Sequence, residues 1–182
     1  MFKFIYFIFL ICSFSVFASE NLSYKEKLIK LGKLDQEVRT GNLDWETGIK
    51  TDKENLNKLK ALIKEFGFPS IEKVGKQAHF SAFLIAQHSV SDVAFMHFYL
   101  DETKKRLGTG SIVDQTYAYL LDRTNEMADK KQVYGTQGVC VNGHYEISPV
   151  ENQEELTKLR ASVGLLSLKE FSKEACLGLH GH

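Results

Sequence analysis

The sequence lacks most of the short motifs that identify a known chemistry. It has no His-Glu-x-x-His and no paired Cys-x-x-Cys for a metal, and His79, His88 and His97 stand nine residues apart, which is no helical ligand spacing. It also has no Gly-x-Ser-x-Gly nucleophile elbow and no glycine-rich dinucleotide or phosphate loop. We therefore predict no dedicated metal and no cofactor.

The sequence also has no excess of charge of either sign. Its 23 basic and 23 acidic residues are spread among one another. Because a basic patch is the usual electrostatic requirement for nucleic-acid binding, this balance argues against nucleic acid as a partner. Repeats, low-complexity tracts and linkers are absent as well, so nothing divides the chain into several domains.

A single apolar run is present, and it stands at the N-terminus. Lys3 precedes the apolar residues 4–11, and Val16 and Ala18 occupy the two small-residue positions before a polar sequence. This pattern predicts a signal peptide of residues 1–18 and an exported protein, periplasmic or extracellular. Because a membrane span needs about 20 apolar residues, we expect no stable membrane anchor after cleavage, with an uncleaved anchor as the alternative.

Two of the three cysteines remain after this cleavage, Cys140 and Cys176. An even number of thiols in an oxidising compartment predicts a disulfide bond between them. Two buried free thiols are the alternative.

The mature residues 19–182 are predicted to form a single compact helical domain, mainly α (α+β), with a small β-hairpin near residues 133–147. Asn142-Gly143 has the sequence of a two-residue hairpin turn. Residues 76–88 are apolar around the whole circumference, so we expect that helix to lie buried at the centre. Apolar spacing and capping residues predict helices over 24–40, 53–66 with Asp52 as N-cap, 76–88, 92–108, 113–128 and 151–163, and a short last helix capped by Ser167 and Glu170.

Polar residues within these apolar elements are the candidate functional residues. Burying such groups without partners costs several kcal/mol, so we expect them to converge on one another or on a ligand. Asp122 and Arg123 point about 100° apart on a helix and must have different partners, and we expect Asp122 to orient His88. The set comprises Gln87, His88, Asp122, Arg123, Tyr134, Thr136, Gln137 and Arg160.

Three interpretations of this set remain open. It is a structural network, or it binds a small ligand, a peptide or an envelope protein, or it belongs to a metal-independent hydrolase-like enzyme that uses a His-Asp pair. In the enzyme, His88 is the general base, Asp122 orients it, and Arg123 or Gln137 stabilises an oxyanion. Its nucleophile is Thr136, Ser89 or an activated water.

In their order along the chain, these residues resemble an uncharacterised bacterial family, domain of unknown function 6624. The resemblance spans residues 35–168, and its most specific part is Tyr134-Gly135-Thr136-Gln137 after an Asp-Arg helix. Phe68 stands where the family usually has Trp. The resemblance implies a shared fold and a shared polar site, and it supplies no reaction. It also includes Asp35-Gln36-Glu37-Val38-Arg39, Gly67-Phe68-Pro69, Val74-Gly75, Gln87-His88, Asp122-Arg123, Arg160 and Gly164-Leu165.

Overall fold

The computed structural model describes residues 13–41 and 44–176, and within them the chain is mainly α-helical with one small β-hairpin, as predicted. The helices are α1 Ser13–Thr40, α2 Trp45–Phe66, α3 Ile71–Val74, α4 Lys76–His88, α5 Val93–Lys104, α6 Asp114–Met127, α7 Leu156–Ser162 and α8 Leu168–Ala175. The strands are β1 Gly138–Val141 and β2 His144–Ile147.

The predicted leader falls mostly outside these ranges. Residues 1–12 are not among the described residues, and the expected cleavage position after Ala18 lies within α1. The prediction that a helix begins near Tyr24 is wrong, because α1 is already helical at Ser13 and no glycine or proline interrupts it before Tyr24. Among the described helices, none is both long enough and apolar enough to span a membrane.

Helix α4 lies at the centre of the fold, as its sequence predicts. Residues on all of its faces are buried, and it packs against α1, α2, α5 and α6. Its one buried histidine has a structural role: His79 Nδ1 donates to the Pro69 carbonyl at 2.9 Å, and Nε2 accepts from the Val113 N–H at 3.2 Å. Burial lowers the pKa of His79.

Helix α1 crosses α4 at very short range. A Cβ added to Gly32 would lie 2.5 Å from the Cβ of Ser81, so the backbones approach as closely as two small residues allow. The buried side of α1 continues along Tyr24, Leu28 and Leu31 and ends on a carboxylate, Asp35. This crossing therefore carries an acidic group into the protein interior beside the C-terminal end of α4.

Helix α2 begins earlier than the sequence predicts, and Asp52 is not its N-cap. Asp44 is the cap, since its carboxylate accepts a hydrogen bond from the Thr47 N–H at 2.9 Å. Asp52 instead binds Arg39 of α1. The additional turns of α2 form a wall of the pocket described below.

The predicted hairpin and disulfide are both present. Strands β1 and β2 pair antiparallel, and Asn142 and Gly143 have positive φ angles of 52° and 79°, as a two-residue turn with two left-handed residues requires. Cys140 of β1 is bonded to Cys176 at the end of α8, with the Cα atoms 5.6 Å apart. The disulfide joins the last helix to the hairpin.

The remaining differences concern helix ends. Helices α5 and α7 are shorter than predicted, and α3 was not predicted at all, because a four-residue helix has no room for an apolar period. The capping box of Ser167 and Glu170 at the start of α8 is confirmed. Val133 and Tyr134 lie outside the two strands, although Gln132 makes an isolated parallel bridge to Val150.

Candidate functional site

The structure divides the predicted polar set into two separate groups, and the first is built around Asp122. Its carboxylate accepts hydrogen bonds from the N–H groups of Val133, Tyr134 and Thr136 at 2.8–3.0 Å, and from the Thr136 hydroxyl at 3.0 Å. Burial raises the pKa of Asp122 by more than these hydrogen bonds lower it, so the pKa lies above its ordinary value. Asp122 therefore anchors the segment after α6 to the helix.

Arg160 and two glutamines complete this group, which we call the loop network. Arg160 donates to the Tyr134 carbonyl at 2.8 Å. The Gln132 side chain donates to the Gln137 carbonyl at 2.9 Å and accepts from the Gln137 N–H at 2.7 Å. The Gln137 amide donates to the Thr136 hydroxyl at 3.0 Å. Apart from Nη2 of Arg160, which has no partner among the described residues, these buried groups satisfy one another, as a structural network requires.

Gly135 allows the sharp turn that the network surrounds. Its φ is +63°, and a Cβ at this position would lie 2.5 Å from Cδ1 of Ile147. Arg160 donates to the Gly135 carbonyl at 2.9 Å. Only glycine adopts this positive φ without strain and also leaves room for the Ile147 side chain.

The second group contains His88, and its carboxylate partner is Asp35. His88 Nδ1 lies 2.9 Å from Oδ1 and 3.1 Å from Oδ2 of Asp35. The predicted pairing of His88 with Asp122 is wrong, because α1 carries Asp35 to the end of α4 while the loop network occupies Asp122. A carboxylate only accepts, so Nδ1 carries the hydrogen and Nε2 of a neutral ring is an acceptor.

Arg39 links this pair to α2. Its guanidinium donates to both carboxylate oxygens of Asp52, at 2.7 and 2.9 Å, and lies 3.9 Å from Asp35. Burial by itself raises the pKa of Asp35, but the hydrogen bond and charge of His88 and the charge of Arg39 outweigh burial and hold this pKa below its ordinary value.

These groups adjoin a pocket of about 590 Å³, which we call the helix-end pocket. It lies where the C-terminal ends of α1 and α4 meet the first turns of α2 and the middle of α6. One side is apolar and open to solvent, with Trp45 84% exposed. The lining residues are Val38, Arg39, Asp44, Trp45, Gly48, Ile49, Asp52, Gln87, His88, Val90, Ser91 and Arg123.

Three of the lining side chains have buried atoms without a hydrogen-bond partner among the described residues: Oε1 of Gln87, Nε2 of His88 and Nε of Arg123. A buried polar atom without a partner costs about 1–3 kcal/mol. Buried polar atoms without a partner also occur away from the pocket, on Asn55, Tyr99 and Arg160, but the helix-end pocket brings three such side chains together, and this concentration needs an explanation.

The sequence prediction therefore locates three residues of this pocket and misses others. Gln87, His88 and Arg123 line it, whereas Asp122, Tyr134, Thr136, Gln137 and Arg160 do not. The missed residues include Arg39, Trp45, Ile49 and Asp52 on the walls and Asp35 behind His88.

Sequence signals for the missed residues exist. Asp35 continues the stripe of Tyr24, Leu28 and Leu31 at helical spacing, so an acid stands where an apolar residue is expected. Trp45, Ile49 and Asp52 lie on one face of a helix that starts at Asp44.

No group of three or more His, Cys, Asp or Glu side chains in the described part of the chain is placed to hold a metal ion. The pocket instead offers an imidazole nitrogen, an amide oxygen and a guanidinium beside an apolar wall. Such a set forms hydrogen bonds and ion pairs with a small molecule.

Comparison with known proteins identifies a family. The sequence profile of the family of unknown function DUF6624 matches residues 42–180. No curated protein and no solved structure matches the chain.

Proposed function

This chain belongs to the family of unknown function DUF6624, which brings no assigned activity, and from its geometry we propose that it binds a small ligand or a short peptide in the helix-end pocket. The observation that carries the proposal is the set of unpartnered polar atoms on Gln87, His88 and Arg123. A ligand that supplies their partners removes the cost of burying them.

The apolar side of the pocket supports the same proposal. Trp45, Ile49 and Val90 are each more than half exposed, and all three line the pocket. Binding sites for small molecules combine such apolar walls with a few convergent polar groups. A ligand with a polar end and an apolar body covers both parts.

A thermal-shift screen with a library of small organic acids, amides and dipeptides tests this proposal. A compound at 100 times its dissociation constant stabilises the folded protein by about 2.7 kcal/mol. We expect hits on the wild type to lose their effect on His88→Ala and to keep it on Gln153→Leu, an exposed control. An absence of hits, or shifts that persist in His88→Ala, would contradict the proposal.

A hydrolase-like enzyme is the second candidate, and the Asp35–His88 pair favours it. Asp35 fixes the ring with Nδ1 protonated and leaves Nε2 without a partner, which is the arrangement of a general base. Thr136 is occupied by the loop network, and Ser89 donates its hydroxyl to the Ala86 carbonyl at 2.6 Å. The nucleophile in this candidate is therefore a water.

Hydrolysis of p-nitrophenyl acetate tests the second candidate. A positioned general base contributes about 10²–10⁴-fold in rate, so His88→Ala should lose at least the lower figure. The control is His97→Ala, which changes an exposed histidine. Equal rates for the two variants would exclude His88 as the base.

We also propose that the protein is exported and cleaved after Ala18. The leader sequence and the Cys140–Cys176 disulfide support this, since disulfides persist in oxidising compartments. Intact mass and N-terminal sequencing of protein from the cell envelope should give Ser19 as the first residue. Full-length protein in the membrane fraction would overturn the proposal.

A further inference from the structure

Arg123 is the unusual charge at the helix-end pocket. It lies in the middle of α6, half-buried, and burial lowers its pKa. Within the ranges that the structure describes, its guanidinium makes no hydrogen bond and no ion pair, and its Nε is buried without a partner. Glu126, one turn further along α6, accepts a hydrogen bond from the Ser148 hydroxyl at 2.8 Å.

The other charges at the pocket are engaged. Asp52 holds Arg39 through two hydrogen bonds. Asp44 accepts from the N–H and the hydroxyl of Thr47, at 2.9 and 2.7 Å, as the cap of α2. These carboxylates are committed elsewhere. The charge of Glu126 favours the charged form of Arg123, but no carboxylate in the described part of the chain forms an ion pair with its guanidinium.

Arg160 shows how this fold binds a buried guanidinium outside the pocket, with only Nη2 left without a partner among the described residues. It donates to the carbonyl oxygens of Tyr134, Gly135 and Leu166 and lies over the Phe171 ring. Arg123 has no such set of acceptors. A planar guanidinium binds carboxylate and phosphate groups through paired hydrogen bonds, so an oxyanion is the complement that this position lacks.

We propose that the ligand of the helix-end pocket is a small organic anion, with its carboxylate or phosphate group at Arg123 and its apolar body against Trp45 and Ile49. The proposal rests on the binding function proposed above and adds the ligand's charge and shape. Gln87 and His88 offer further polar contacts beside the anionic group.

The only tryptophan of the chain provides the measurement. Trp45 lines the pocket and is 84% exposed, so a ligand body that covers it should change its fluorescence. We would titrate the protein with benzoate and phenyl phosphate as anionic probes, benzamide as the neutral analogue of benzoate, and benzylamine as the cation. We expect at least one anion to bind about tenfold or more tightly than benzamide, with no response to benzylamine, because a hydrogen bond to a charged group contributes about 1.5–3 kcal/mol.

Variants of Arg123 test whether this residue binds the anionic group. Arg123→Gln should weaken binding of the anionic probe about tenfold or more and leave benzamide unchanged, whereas Lys169→Gln removes an exposed charge on α8 and should have no effect. Arg123→Lys keeps the positive charge but loses the paired N–H donors of the guanidinium, so its affinity for the anionic probe should be intermediate. The comparison of probes on the wild type needs no variant to fold.

The outcomes separate the two proposals. Equal binding of benzoate, phenyl phosphate and benzamide, or anion binding unchanged in a folded Arg123→Gln, would overturn the anionic ligand and leave a binding pocket. If none of the four probes changes the Trp45 fluorescence, the proposal of an anionic ligand is wrong. The thermal-shift screen by itself would then decide the binding function.

Discussion

Gln87 and Gln137 are chemically identical residues in opposite environments. Both are nearly inaccessible to solvent, at 3% and 4% exposure. The Gln137 side chain donates to Thr136, whereas Oε1 of Gln87 has no partner among the described residues and the residue lines the helix-end pocket. At the residue scale, hydrogen bonding distinguishes a side chain that maintains the fold from one available to a ligand.

The same substitution at both glutamines should therefore have opposite effects. Gln87→Leu removes an unsatisfied polar group, and we expect the free energy of unfolding to stay constant or to rise by up to about 1 kcal/mol. Gln137→Leu removes a hydrogen-bond donor from the loop network and should cost about 1–3 kcal/mol. Urea denaturation of both variants measures this. Equal losses would mean that Gln87 also maintains the fold.

Asp35 should make stability depend on acid pH. Its pKa in the folded protein lies below the ordinary value of about 3.9, so its contribution is complete above that pH and is lost as the pH falls through the folded pKa. We expect the wild type to lose stability more steeply than Asp35→Asn below about pH 4. Melting temperatures from pH 3 to 6 test this. Parallel curves would show that Asp35 does not titrate with a lowered pKa.

At the scale of elements, the crossing of α1 over α4 positions the site. Gly32 and Ser81 are in contact where the backbones approach most closely, and Asp35 reaches His88 one turn further along α1. Helix α2 then closes the pocket through Arg39 and Asp52. With Arg123 of α6, the site is thus formed by four helices rather than by one motif.

Gly32→Ala should disturb this crossing. Its Cβ would lie 2.5 Å from Ser81, and such overpacking costs about 1–3 kcal/mol. Gly48→Ala is the matched control, since its Cβ would lie 3.4 Å from Val38, and alanine in a helix is favourable by up to about 1 kcal/mol over glycine. Thermal melts of the two variants compare them. A Gly32→Ala variant as stable as the wild type would refute the tight crossing.

At the scale of the whole molecule, the disulfide closes a covalent loop in the C-terminal part of the chain. Cys140 and Cys176 are 36 residues apart, so the bond joins the hairpin to α8 across the whole of α7. Arg160, on α7 within this closed segment, donates to the carbonyl of Tyr134, a residue of the loop network that precedes the segment. The bond limits the unfolded conformations of a region with little sheet of its own.

Replacing both cysteines with alanine should reduce the free energy of unfolding by about 4 kcal/mol, the chain-entropy value for a closed segment of this length. A reducing agent should destabilise the wild type similarly and leave the Cys140→Ala, Cys176→Ala variant unaffected. Guanidinium denaturation with and without reductant measures both effects. A wild type insensitive to complete reduction would contradict this contribution.

The amino-acid sequence by itself determined the elements with strong local signals. The continuous apolar stretch places α4 at Lys76–His88, Asn142-Gly143 produces the hairpin turn, Ser167 and Glu170 start α8, and the two cysteines that follow the predicted leader form the disulfide. Each depends on residues close in sequence or on a simple count, so local chemistry suffices.

Only the tertiary structure decided how the polar residues are grouped. His88 pairs with Asp35, 53 residues away, rather than with Asp122, and the predicted set separates into a satisfied loop network and the helix-end pocket. Helical periodicity shows that a side chain is buried but not which distant side chain it meets. That choice depends on where Gly32 lets α1 cross α4, which is a property of packing between elements.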